Sequence, residues 1–266
     1  MMITRRGFHR RAGLLIAALG TTTAGCALLP PEPLPLTRFG AFTMTVTGGV
    51  AGVFRQLQVT PSDRIGLVLT ERPAAGRIST ETLNRIGTLL ESEAFRREAA
   101  RPRPDDMRCA DTFVVTLRMG ALTVSREDPC APTPAPEWDK LTALLQPFWE
   151  GRFEEPLPAA SAPPILVQEI ASGRPTGRRA ELGPDGQATL RSPDRVLRTG
   201  RLEVSQLAAL TVLAARPLCR PAREFDDGFL ISIGDQQAAA PVGNRIGPDC
   251  PELGAIAQLA RTAVHL

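Results

Sequence analysis

The chain has 266 residues but no tyrosine, a single lysine and only two histidines. His265 stands next to the last residue, and His9 lies in a segment interpreted below as an export signal. Ser/His/Asp and Cys/His mechanisms and multi-histidine metal sites all need histidine side chains within the folded protein. The shortage excludes most hydrolase mechanisms, and we therefore predict no enzyme, no catalytic residue, no cofactor and no metal site.

Pairs of neighbouring acids are the remaining candidates for catalysis. They occur at Asp105-Asp106, Glu154-Glu155 and Asp226-Asp227. Adjacent carboxylates usually point apart or solvate a loop, so we interpret all three pairs as surface features. Asp111 and Asp227 each stand just ahead of an apolar alternating segment, where a turn or strand-start hydrogen bond is favoured over proton transfer.

Long hydrophobic runs are also missing, and this bears on the N-terminal segment. The apolar stretch from Ala12 to Leu19 is only about half of the ~20 residues that cross a bilayer, which argues against a transmembrane anchor. It stands between Arg5-Arg6 and Thr23-Ala24-Gly25-Cys26, so residues 1–25 resemble a twin-arginine export signal that ends in a bacterial lipobox. The resemblance implies lipidation of Cys26 and an exported protein anchored to a bacterial membrane, facing the periplasm or the exterior. Export by the general secretory route stays open.

Charge patterning changes once this signal is set aside. Residues 1–25 carry four arginines and no acid, which leaves 27 basic and 28 acidic residues from Cys26 onward. The mature chain is close to neutral, and its composition gives no reason to expect nucleic-acid binding.

The remaining sequence contains an internal repeat. At an offset of 124 residues, Gly49 falls on Gly173, and Gly76-Arg77-Ile78 falls on Gly200-Arg201-Leu202. At an offset of 116, the segment from Asp111 to Leu117 falls on the segment from Asp227 to Ile233. The ordered series of glycines, strand, cysteine and helix predicts a duplicated domain.

Each copy shows strands followed by helices. Alternating residues predict strands at 42–47, around Leu57 and Val59, at 65–69 and at 113–117, with a return strand through Leu122 and Val124. Pro73 and Gly76 are read as a turn, and Leu83, Ile86, Leu90 and Ala94 as one face of a single helix that begins behind Ser79 or Thr80. The fold class is α+β, with two similar small domains, each an antiparallel sheet with two helices packed on it. We expect a proline-rich tether at 26–38, domains at 39–152 and 165–266, and a linker at 153–164.

Four cysteines beyond Cys26 remain in a chain that is expected to reach an oxidising compartment. Cys109 and Cys130 bracket one predicted hairpin, and Cys219 and Cys250 bracket the matching segment of the second copy. We predict one disulfide in each copy. A zinc site is the alternative, but no pair has the close Cys-x-x-Cys spacing of such sites.

A glycine-rich segment follows the first strand. It reads Gly48-Gly49-Val50-Ala51-Gly52, followed by Val53 and Phe54. A phosphate-binding loop would lead into a helix and end in Gly-Lys-Ser/Thr, whereas a strand is expected here, so this is first a hairpin loop. Residues 48–54 are also our candidate protein-binding loop, with Val50, Val53 and Phe54 exposed. In the second copy the loop reads Ser172-Gly173-Arg174-Pro175-Thr176-Gly177.

The order of these features resembles the emfourin family, small protein inhibitors of thermolysin-like metalloproteases. The resemblance covers residues 42–148 and, more faintly, 165–264, and depends on the Gly48 to Gly52 motif, the Asp111-Thr112-Phe113 strand and the element order. It implies a membrane-anchored protein that binds another protein and inhibits a metalloprotease. The alternative is a structural or assembly lipoprotein of the cell envelope without inhibitory activity.

Overall fold

The computed structural model describes residues 39–49, 52–101, 112–127, 134–158, 162–221, 226–241 and 250–264. These residues contain twelve strands and five α-helices. The strands are β1 Phe42–Gly48, β2 Val53–Thr60, β3 Ile65–Leu69, β4 Ala74–Arg77, β5 Phe113–Met119, β6 Leu122–Glu127, β7 Ile165–Ala171, β8 Arg174–Leu182, β9 Gln187–Arg191, β10 Val196–Arg201, β11 Gly228–Ile233 and β12 Gln236–Pro241. The helices are α1 Thr80–Glu91, α2 Glu93–Ala99, α3 Pro136–Trp149, α4 Val204–Ala214 and α5 Pro251–Ala263.

The strands form two six-stranded sheets with the same topology. The first sheet has the order β4-β3-β2-β1-β5-β6, and the second has the order β10-β9-β8-β7-β11-β12. All neighbouring strands are antiparallel. The predicted α+β class is confirmed, and the matching order agrees with two similar sheet domains.

The residues that the sequence comparison aligned occupy equivalent places. Gly76 lies in β4 and Gly200 in β10, each the fourth strand of its repeat. Ile78 and Leu202, two residues further on, are both buried, with 0% and 5% of their surface exposed. Gly49 and Gly173 both lie at the tip between the first two strands of a repeat, with φ of 70° and 71°.

One predicted turn is a strand. Residues 74–77 were expected to turn the chain, but Ala74–Arg77 is β4 and pairs with β3 in antiparallel register. Alanine and glycine are poor strand formers, which is why the local signal fails. Tertiary packing supplies the missing stabilisation: the Phe153 side chain lies so close to Gly66 and Gly76 that a Cβ atom at either position would come within 2.5 Å of it.

The prediction of one long helix from Thr80 is also wrong, because the helix ends earlier than expected. Helix α1 stops at Glu91, and Ser92 adopts an extended conformation that begins a second helix. The Ser92 hydroxyl accepts a hydrogen bond from the Phe95 backbone N–H at 3.0 Å. Ser92 is therefore the N-cap of α2, a role that prevents it from continuing α1. Ala94 is consequently exposed, whereas Phe95 is buried.

Two clusters of buried side chains form the interior. The first cluster combines residues of the first sheet with residues of α1, α2 and α3, among them Met44, Leu57, Ile86 and Leu145. The second combines residues of the second sheet with residues of α4 and α5, and it also includes Leu67, Leu69 and Ala75 from β3 and β4. The two repeats therefore share a core, and Leu34–Leu266 forms one compact unit.

Polar contacts reinforce the junction between the repeats. The Gln58 side chain on β2 accepts a hydrogen bond from Arg216 Nη1 at 2.6 Å and donates one to Glu252 Oε1 at 3.4 Å. Phe54 lies two residues before Gln56 on β2, so both side chains are on the same face of the strand. Phe54 packs against the second cluster. The face of the first sheet that carries these residues therefore meets the second repeat.

A disulfide joins Cys219 to Cys250, with 5.8 Å between their Cα atoms. This confirms the pairing predicted for the second copy. Cys109 and Cys130, and the predicted lipidation site Cys26, lie outside the described residues.

Candidate protein-binding surfaces

The predicted binding loop is the tip of the β1–β2 hairpin. Gly48, Gly49 and Gly52 all have positive φ, at 124°, 70° and 60°, conformations that glycine adopts without steric cost. The Gly49 N–H donates to the Thr112 carbonyl at 3.1 Å, and the Gly52 N–H donates to the Gly49 carbonyl at 2.9 Å. The tip is thus hydrogen-bonded both to itself and to the residue that precedes β5. Val50 and Ala51 lie outside the described residues.

The other two apolar residues of this loop are less open than expected. Val53 and Phe54 are half-buried, and Phe54 packs against the cluster that the two repeats share. Its ring therefore anchors the base of the hairpin rather than offering an exposed contact. Sequence reasoning missed this because a hairpin tip in isolation gives no sign of a neighbouring repeat.

The equivalent hairpin of the second repeat is held by an aspartate. Asp227 Oδ1 accepts a hydrogen bond from the Ser172 backbone N–H at 2.9 Å, and Ser172 has a φ of 51°. The Gly173 N–H donates to the Asp226 carbonyl at 2.7 Å. The turn-stabilising role predicted for Asp227 is confirmed, whereas Asp111 lies outside the described residues.

Arg174 to Gly177 belong to a strand and not to a diverged loop. They form the start of β8, which pairs with β7 across a register shift between Gln168 and Ile170. Such an irregularity adds local twist and turns side chains outward. The change of sequence therefore starts β8 directly after the tip and places arginines along it.

These arginines meet others from the neighbouring strands. We call the group the arginine patch: Arg174, Arg178, Arg179, Arg191, Arg195 and Arg198. All except Arg191 are classed as exposed, and the Arg191 side chain still has 41% of its surface exposed. The patch covers β8, β9, β10 and the turn between β9 and β10.

One carboxylate holds the inner part of the patch together. Arg179 and Arg191 stand directly opposite each other on β8 and β9, an arrangement in which like charges repel. Glu181 accepts a hydrogen bond from each of their Nε atoms, both at 3.0 Å. The negative charge of Glu181 therefore offsets part of the repulsion between Arg179 and Arg191.

The acid pairs considered for catalysis have structural partners instead. Glu154 accepts hydrogen bonds from the Ser79 backbone N–H and from the Thr82 hydroxyl, the latter at 2.6 Å, and so caps helix α1. Glu155 forms an ion pair with Arg64 at 3.0 Å. Asp105 and Asp106 lie outside the described residues.

The pKa of Glu154 is displaced from its ordinary value. Burial acts to raise the pKa of Glu154, but the hydrogen bonds from Thr82 and Ser79 and the charge of Arg64 outweigh it and hold that pKa below its ordinary value. A lowered pKa means that the folded state binds this proton more weakly than the unfolded state does. The carboxylate therefore stabilises the fold above its ordinary pKa, and this contribution is lost as the pH falls through the lowered value.

We expect Glu154→Gln to lower the free energy of unfolding by no more than about 1 kcal/mol, because the side chain is solvent-exposed. The difference in the free energy of unfolding between parent and variant should have its full size near neutral pH. It should disappear in acid, because the parent carboxylate becomes protonated. Urea unfolding at several pH values measures it. A difference that persists unchanged in acid would show that the charge is not responsible.

A cleft of about 490 Å³ lies where the end of the first repeat passes α4. Residues 151–153, 155–157 and 203–205, together with Ala75, line it. Among the described residues no group of three or more His, Cys, Asp or Glu side chains could hold a metal ion. None of the helices described is long and apolar enough to span a bilayer.

Comparison of the chain with protein-family models, with curated proteins and with solved structures gives no match.

Proposed function

We propose that the chain is a lipid-anchored protein of the bacterial cell envelope that works by binding another protein. The export signal and Cys26 supply the anchor, and the two repeats supply one compact binding unit. We further propose that each sheet carries its two equivalent helices on one face, α1 and α3 in the first repeat and α4 and α5 in the second. That leaves the hairpin tips of both repeats available as contact points.

The β1–β2 hairpin tip is the main proposed contact. The observation that carries the proposal is its restraint: the Gly49 N–H is bonded to the Thr112 carbonyl, and Phe54 is packed against the shared core. A hairpin whose flanking residues are held before binding loses less conformational entropy in the complex, which favours recognition by a narrow cleft. A cleft of this kind belongs to the thermolysin-like metalloproteases implied by the family resemblance, and inhibition of such a protease is the specific form of the proposal.

The experiment is a titration of the purified mature protein against a panel of secreted metalloproteases, with residual activity as the readout. We expect stoichiometric inhibition of at least one of them. In the variant Gly49→Asn, a side chain that tolerates positive φ projects from the tip, and inhibition should weaken about tenfold or more, equivalent to roughly 1.4 kcal/mol.

Gly173→Asn is the matched control. Gly173 has the same φ at the tip of the other repeat, and a Cβ atom there meets nothing within 4 Å. Inhibition should be unchanged in this variant. If no protease is inhibited by the parent, the assembly lipoprotein becomes the better proposal, and crosslinking in the envelope is the experiment that identifies its partner.

The anchor is tested separately. Cys26→Ser removes the thiol that would carry the lipid, so we expect the protein to move from the membrane fraction to the soluble exported fraction. Continued association of this variant with membranes washed at high salt, which removes electrostatic binding, would argue against the lipid anchor without bearing on the protease.

A further inference from the structure

Positive charge is concentrated in one part of the mature chain. Residues 174–201 contain seven arginines and three acids, whereas the rest of the chain from Cys26 onward contains 20 basic and 25 acidic residues. A nearly neutral protein therefore has a strongly basic region on an acidic background. Because electrostatic attraction to a surface depends on local charge, the overall balance conceals this property.

The fold gathers these charges at one end of the second sheet. Strands β8, β9 and β10 are neighbours, and Gly177 of β8 lies so close to the Pro193 ring that a Cβ atom on it would stand 2.6 Å away. This contact holds the start of β8 against the β9–β10 turn. Arg178, which follows Gly177, is thus brought near the turn that contains Arg195.

Much of this charge is not neutralised within the protein. Arg178 lies 3.8 Å from Glu169, and Arg179 and Arg191 share Glu181. Arg174 and Arg195 form no ion pair in the part of the chain that the structure describes. Two acids, Glu169 and Glu181, therefore serve three of the patch arginines.

An exposed apolar residue stands among these arginines. Val196 begins β10 directly after Arg195, and 47% of its surface is exposed. It is one of two large hydrophobic residues that are exposed among those described, the other being Val204. Arginine beside an exposed aliphatic side chain is the combination that suits the boundary between phosphate headgroups and acyl chains.

We propose that the arginine patch, with Val196, rests on the anionic phospholipid surface of the membrane to which the protein is anchored. This inference rests on the proposed lipid anchor, because only twelve residues lie between Cys26 and Phe39. Even fully extended at about 3 Å per residue, they keep the folded unit within roughly 40 Å of the bilayer. Guanidinium groups bind phosphate oxygens in bidentate fashion, which matches phospholipid headgroups.

The surface contact also gives the binding unit an orientation. A protein held by the lipid alone can rotate about its tether, whereas a second contact through β8 to β10 fixes which end faces the bilayer. An acidic protein segment is the competing occupant for a basic patch, and the experiment below separates the two.

The test uses the mature chain from residue 26 with Cys26→Ser, so that no lipid contributes to binding. Cosedimentation with vesicles of phosphatidylcholine, with and without phosphatidylglycerol, is measured at low and at high salt. We expect binding only to the vesicles that contain phosphatidylglycerol, with strong weakening at high salt. The triple variant Arg174→Gln, Arg178→Gln, Arg195→Gln should bind these vesicles roughly 100-fold less tightly, at about fivefold per arginine.

A matched triple variant controls for net charge. Arg85, Arg96 and Arg97 lie exposed on α1 and α2 of the first repeat, and changing all three to glutamine removes the same charge elsewhere. This variant should keep most of the binding. Val196→Ser should also reduce vesicle binding, whereas Val204→Ser should not.

Equal losses in the two triple variants would overturn the proposal, and so would absence of binding to anionic vesicles at low salt. Binding to polyglutamate but not to vesicles would also overturn it and assign the patch to an acidic protein. None of these results depends on lipidation, so they leave the anchor itself to the Cys26→Ser fractionation.

Discussion

Replacing Leu69 by alanine should destabilise both repeats at once, although Leu69 belongs to the first. Its side chain is fully buried in the cluster formed mainly by the second sheet, α4 and α5. Removing a buried leucine side chain costs about 3 kcal/mol through lost burial and the cavity that remains. We expect a single unfolding transition at lower denaturant concentration, together with faster amide hydrogen exchange in β7 and α5.

Leu145→Ala is the matched comparison, since Leu145 is equally buried but lies in the cluster of the first repeat. It should lower the free energy of unfolding by a similar amount, and its local openings should appear first in α3 and β1. Two separate transitions, with β7 and α5 unaffected by Leu69→Ala, would contradict a shared core.

The sequence contains a local sign of this shared core. Leu67, Val68 and Leu69 are consecutive apolar residues, and a strand that is buried on both faces has no polar alternation. In the structure, Val68 belongs to the first cluster while Leu67 and Leu69 belong to the second. The run predicts a strand covered on both sides but does not say by what, because that depends on contacts with residues more than a hundred positions away.

Other parts of the fold followed directly from local pattern. Phe42, Met44 and Val46 alternate with threonines, and β1 begins at Phe42 and ends at Gly48, directly after this alternation. Ser79 is the N-cap of α1, as its position before Leu83 and Ile86 predicts. In contrast, β4 consists of small residues whose pairing depends on Phe153, and no local pattern reveals that contact.

The candidate surfaces were predictable to different degrees. The glycines at 48, 49 and 52 mark the first hairpin because their positive φ values favour that residue. The arginine patch was missed because charge was summed over the whole mature chain. A count along the sequence finds the excess between residues 174 and 201, but only the antiparallel order of β8, β9 and β10 brings these residues to one end of a sheet.

The second repeat differs from the first where a further repeat would have to dock. Leu67, Leu69 and Ala75 make the contact from the first sheet, and the matching registers place Thr189, Arg191 and Thr199 at the equivalent positions of the second. A polar outer face is what ends a stack of repeats, because it offers no apolar surface for the next one. The second sheet therefore lacks the apolar contact surface of the first, and Arg191 of the arginine patch is one of the residues that replace it.

The second large effect concerns the disulfide between Cys219 and Cys250. Replacing both cysteines by alanine should lower the free energy of unfolding by about 3.5 kcal/mol, since the bond closes a loop with a sequence separation of 31 residues. Mutation is preferable to reduction here, because a reductant would also act on Cys109 and Cys130. The loss should be visible in urea unfolding under oxidising conditions and should be absent when parent and variant are compared in reductant.

The position of this bond predicts where the loss is felt. Cys250 directly precedes α5, whose buried residues belong to the same cluster as those of the second sheet. Through Glu252, α5 also contacts Gln58 of the first repeat. Faster exchange should therefore begin in α5 and extend to β2 before it reaches α1. If the variant unfolds as the parent does, or if α1 is the first element to open, the disulfide does not support the junction between the repeats.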